Sequence, residues 1–220
     1  MTEGAAPAPR IRVWDVPVRA CHWLIVLFVA ASWWTAETKR MDWHRYSGYA
    51  LLAISTFRVY WGFFGSSTAR FSQFVRGPRA VVSYLKGRWA VMPGHNPLGA
   101  LSVLVLLGLL FSQIVLGLFA VDVDGIESGP LSTYVSFDTG RAAAEWHEEL
   151  FDALLWLIGL HVAAVLFYLL YKKENLVGTM LHGMRRFPSA QVTPVRTASW
   201  VRFTVGVVLA GLLTWIVSRN

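Results

Sequence analysis

The chain of 220 residues has one cysteine, Cys21, and little charge, with 15% of its residues Asp, Glu, Lys or Arg. A single thiol excludes an intramolecular disulfide. The absence of C-x-x-C and C-x-x-C-H excludes a zinc or redox dithiol and covalent attachment of a haem. Cys21 itself reads as a small buried residue. So few charges, beside 55% hydrophobic residues and a mean hydropathy of +0.47, exclude an ordinary soluble domain. There is no low-complexity block and no clear internal repeat. The net charge of +7 does not point to nucleic acid, because the basic residues lie in the connections between apolar runs, where membrane topology accounts for them.

What is present is a series of apolar runs, each close to the twenty or so residues a tilted helix needs to cross about 30 Å of hydrocarbon. They predict helices over 16–36, 44–64, 98–121 and 146–171, with a fifth transmembrane helix at 199–218 whose Arg202 snorkels at the edge. The first run resembles a signal peptide only in the small residues near its end. Its length and the lack of a clean cleavage site make it a retained helix. Residues 1–12 read as a disordered tail, 13–183 as the membrane domain and 184–198 as a linker. The connection between the second and third runs carries Arg70, Arg76, Arg79, Lys86 and Arg88 and no acid, whereas the next one carries Asp122, Asp124, Glu127 and Asp138 against Arg141. The positive-inside rule places the first, and the N-terminus, in the cytoplasm and the second outside. Tryptophans 14, 33, 34, 43, 61, 146, 200 and 215 fall near run ends, as interfacial anchors do.

Histidine inside such runs is costly unless paired. His147 and His161 are separated by about four helical turns, or about 21 Å of rise, so both leave nearly the same face. An isolated His161 could simply bond a Ser or Thr on another helix. The topology, however, puts His44 level with His147 on the outer side and His22 level with His161 on the inner side. A haem iron with two imidazole ligands needs one histidine on each of two facing helices at one depth, so the four histidines define two non-covalent haem b sites in a helical bundle. Gly48, one turn after His44, would let a porphyrin approach the backbone. Gly108 and Gly117 could do the same, or could serve helix packing. Arg19 and Arg58 are candidates for the haem propionates, Arg19 being equally readable as an ordinary inside charge. His95 and His182 read as solvated loop histidines.

The segments VWDVPVRACHW, HRYSGYALLAISTFRVYWGF, GHNPLGALSVLVLLGLL and EWHEELFDALLWLIGLHVAAVLFYLLYKKENLVGTML together resemble the bacterial cytochrome b-561 family, which includes the cytochrome b subunits of nickel-iron hydrogenases. The resemblance spans roughly residues 11–183, and its most specific part is the histidine pair followed by K-x-N-L at 173–176. It implies an all-α integral membrane protein of the bacterial inner membrane, a four-helix bundle with two b haems held by His22, His44, His147 and His161. The fifth helix departs from that pattern and could be an appendage or an oligomer contact. Members of the family pass electrons between quinone and a periplasmic redox partner such as a c-type cytochrome or hydrogenase; others oxidise superoxide and reduce ubiquinone. The acidic outer loop fits a basic partner, or plain solvation. A haem-free anchor or transporter is a further alternative, disfavoured because no carboxylate lies in the central spans to build a divalent-metal site.

Overall fold

The computed structural model describes residues 10–88, 94–124, 126–187 and 195–220. Five long helices dominate: α1 (Val16–Glu37), α2 (Met41–Phe64), α5 (Pro97–Phe119), α6 (Phe137–Leu170) and α8 (Trp200–Ser218). Short helices α3 (Phe71–Phe74), α4 (Pro78–Leu85) and α7 (Leu176–His182) sit in the connections. Capping fixes the starts. Asp15 Oδ1 accepts the Val18 N–H at 2.9 Å ahead of α1, and Asn96 Oδ1 accepts that of Gly99 at 2.7 Å ahead of α5, each just before a proline suited to a first helical turn.

Helices α1, α5, α6 and α8 are long and apolar enough to cross a membrane. Their large side chains face outward in the manner of a lipid-facing surface, Leu27, Trp156, Leu160 and Val208 among them. Helix α2 is the exception in composition, and its polar residues point inward: Ser47, Ser55 and Arg58 are buried. It is also the hub of the bundle, packed against α1, α5 and α8. Helix α6 instead lies along α5. The bundle is therefore two helix pairs, α1 with α2 and α5 with α6, with a slot between them.

Helix α6 starts nine residues before the expected 146, because Ser136 caps it and the Arg141–Glu145 pair supports a polar first segment. At 34 residues it is longer than a bilayer core requires, so its first turns project beyond the apolar part. The tail also differs from expectation. Arg10–Arg12 form a strand, β1, paired antiparallel with β2 (Met184–Arg186). Gly183 makes this possible: at φ +77° it ends α7, and its carbonyl accepts the Val13 and Trp14 N–H groups. Residues 1–9 and 188–194 of the 184–198 linker lie outside the described residues.

Helix α8 packs along α2, and at its end Val217 joins the buried cluster of Leu51, Leu110, Ile114 and Leu154. Gly206 is required there, since a Cβ would lie 2.6 Å from the Tyr60 ring and 3.0 Å from Phe57. Phe57 and Trp61 stack at 5.5 Å and Phe203 meets both edge-on. Trp61 and Trp14 are thus core residues rather than interfacial anchors, at 3% and 7% exposure, whereas Trp33, Trp34, Trp43, Trp146, Trp200 and Trp215 are exposed.

Candidate haem sites

One end of the bundle is acidic. There the Arg45 guanidinium bridges the start of α2 to Glu127 in the α5–α6 connection at 3.3 Å, and Tyr134 donates to Asn220 Oδ1 at 2.9 Å, gathering the ends of α2, α5, α6 and α8. His44, in the first turn of α2, and His147, ten residues into α6, face each other here with ring centroids 6.1 Å apart and planes at 85°. Each ring is oriented by a backbone carbonyl: His44 Nδ1 lies 2.9 Å from Ser32 O, and His147 Nδ1 lies 2.9 Å from Gln113 O. A carbonyl can only accept, so both Nδ1 atoms carry hydrogen and both Nε2 atoms keep a lone pair. That is the tautomer a metal-binding imidazole needs. Two imidazole–metal bonds of about 2 Å, with the reach from ring centre to Nε2 on each side, add up to about 6 Å, which the observed spacing matches.

The supporting residues come from α1 and α5. Gln113 returns a second bond, donating from Nε2 to His147 O at 2.7 Å. Gly117 is fixed by the histidine, since a Cβ there would stand 2.8 Å from His147 Cε1. Ser32 and Ser47 join α1 to α2 through their hydroxyls at 2.6 Å. Beside the pair opens a cavity of about 610 Å³ lined by Leu51, Leu110, Ile114, Phe151 and Leu154 with polar residues at its mouth. Gly48 is on its wall, and a Cβ there would meet nothing within 4 Å. The size is that of a site for a large flat ligand.

The second pair lies at the basic end. His161, about 21 Å along α6 from His147, has Nδ1 at 3.5 Å from Ser102 Oγ of α5. His22 on α1 is half-buried, and its Nδ1 is buried without a partner. Among the described residues no group of three or more His, Cys, Asp or Glu side chains could hold a bare metal ion. Paired imidazoles supply two positions of an octahedral iron, and a porphyrin supplies the other four. The residues therefore fit haem: paired rings, free Nε2 atoms, an apolar cavity and a glycine on its wall.

The remaining candidates separate. Arg58 is buried, and its guanidinium lies 5.4 Å from the Phe71 ring centre with Nη1 unpartnered. Arg19 donates from Nη1 to the Leu181 carbonyl at the end of α7. Cys21 is free and buried, and His182 is exposed at the end of α7. His95 is not a solvated loop residue. Its ring is held between Trp14 and Phe74, both at 4.5 Å, and burial, with the Arg58 charge second, pushes it down to about 3, so it is neutral at physiological pH. Nearby, Tyr84 of α4 and Tyr168 of α6 share a hydrogen bond, and Asn96 donates to both. Burial and that bond raise the Tyr84 phenol. Sequence reasoning missed the orienting role of Gln113, the sole side-chain amide of α5, for which its place in an apolar span was the available signal.

An apolar helical bundle that holds two oriented imidazoles beside a cavity of this size is built as a membrane b-type cytochrome. Residues 13–183 match the profile of prokaryotic cytochrome b561, and the chain belongs to that family. It is accordingly a membrane-embedded electron-transport protein that binds b-type haem. Searches of the curated proteins and of the solved structures returned no match.

Proposed function

We propose that the chain carries two b haems, one between His44 and His147 and one between His22 and His161, and moves electrons across the bacterial inner membrane between quinone and a periplasmic redox protein. Haem b supplies the one-electron Fe(III)/Fe(II) couple. The chain's residues do the rest: the Ser32 and Gln113 carbonyls hold the rings in the ligating tautomer, and the apolar wall excludes water. The observation that carries the reading is the close approach of the His44 and His147 rings, each pinned at Nδ1. Helix α2 crosses with α1, α5 and α6, its polar side turned to the slot. The positive-inside rule puts the acidic end in the periplasm and the N-terminus in the cytoplasm. The family also contains superoxide-oxidising proteins, and an anionic substrate calls for a positive approach to the outer site. Glu37, Glu127, Glu148 and Asp152 at the cavity mouth favour a protein partner of positive charge instead.

The test is a haem count with a reduced-minus-oxidised spectrum on the purified chain. Two low-spin b-type haems are expected, with one lost in His161→Ala and the other in His44→Ala. Retention of both haems in either variant refutes that pair.

A further inference from the structure

The ligand pairs leave one buried polar cluster unexplained. Arg58 is 7% exposed, yet its Nη1 bonds to nothing. The Phe71 face favours the charge without accepting its in-plane N–H groups. Asp15, the nearby acid, makes its two hydrogen bonds elsewhere, accepting from Val18 N–H at 2.9 Å and from Trp61 Nε1 at 2.8 Å. His95 meets the same charge, and its Nδ1 is also buried and unpartnered. Trp14 and Phe74 each crowd the imidazole at 4.5 Å, and its free Nδ1 suits a single oxygen acceptor. A buried cation and a buried neutral donor, both unsatisfied, are unfavourable alone and complementary to a carboxylate.

Their place in the fold identifies the carboxylate. Cys21, the residue before His22, packs in one buried cluster with Phe57 and Trp61 of α2, on either side of Arg58 in sequence, and His95 directly precedes the cap of α5, the helix whose Ser102 approaches His161. Both donors therefore stand beside the basic-end imidazole pair. We propose that Arg58 and His95 together clamp a propionate of the haem held by His22 and His161, Arg58 as the charged donor and His95 as a positioning residue that fixes the carboxylate's direction. This rests on the ligand reading above.

The experiment uses the full chain in detergent, in a His147→Ala background that leaves only the basic-end haem, and reads haem content, the resonance Raman propionate bending band and the midpoint potential. Arg58→Gln and His95→Phe are expected to keep the haem, move the propionate band and lower the potential, since each weakens stabilisation of the reduced, more negative site. Arg58→Lys keeps the charge and His95→Gln keeps a donor, so each is expected to restore part of the shift. Should Arg58→Gln fail to fold, the His95→Phe and His95→Gln pair carries the test, because neither changes charge. Bands unmoved in His95→Phe with the haem present would overturn the clamp while leaving the ligand assignment intact. Loss of all haem from His147→Ala itself would overturn the ligand assignment first.

Discussion

At the scale of single residues, two glycines of the acidic-end site separate occupancy from folding. A side chain at Gly48 meets no protein atom and projects into the cavity. Gly48→Leu is expected to preserve the helical content and the thermal transition of the haem-free protein while removing one haem, a result that circular dichroism and a pyridine haemochrome assay would show together. At Gly117 the new methyl strikes the ligand ring itself. Overpacking of this kind costs about 1–3 kcal/mol, or about a tenfold to hundredfold loss in haem retention, so Gly117→Ala should shed the same haem more readily than the other. Asp15→Leu tests a structural group instead: it strands the buried Trp61 N–H and the first-turn N–H of Val18. Each stranded donor costs about 1–3 kcal/mol, giving a lower unfolding temperature with unchanged haem stoichiometry.

At the scale of elements, the sequence disclosed most where one helix's own period did the work. His147 and His161 share a face because fourteen residues are nearly four turns, and depth matching set His44 level with His147, whose rings lie 6.1 Å apart. The five long helices were legible from the length of the apolar runs. What was not legible depended on contacts between distant segments. His95 reads as a loop residue until Trp14, Phe74 and Arg58 arrive from other parts of the chain, and Arg10–Arg12 read as a tail until Gly183 turns β2 back on them. The role of α8 was likewise open in the sequence. It packs on Phe57 and Tyr60 of α2, and it carries no histidine. A chain shortened to end at Phe187 is expected to retain both haems and to unfold a few degrees lower, because helices in lipid associate through packing contacts of this kind. Loss of a haem on truncation would show that α8 braces the slot.

At the scale of the whole molecule the governing feature is the separation of charge along the bundle. Glu37, Asp42, Asp124, Glu127 and Asp138 gather at the His44–His147 end, and Arg70, Arg76, Arg79, Lys172, Lys173, Arg185 and Arg186 at the other. The basic end suits a cytoplasmic face rich in anionic lipid. The acidic end surrounds the mouth of the cavity beside the paired rings, and Arg45, the cation nearest His44 in sequence, is already engaged by Glu127. A positively charged redox protein would therefore be drawn to the acidic end, where electron transfer to a haem held by His44 and His147 would be shortest. Because the mouth carboxylates are largely solvated, the attraction is screened within about 8–10 Å at physiological salt. The rate of electron exchange with a basic c-type cytochrome, followed by stopped-flow absorbance, should then fall steadily as ionic strength rises from 10 to about 300 mM. Charge reversal in Glu127→Lys with Glu148→Lys should lower the low-salt rate by about tenfold and flatten its salt dependence, leaving the haem spectrum unchanged. A rate indifferent to salt in the unmodified chain would mean that the acidic end serves solubility and topology rather than docking.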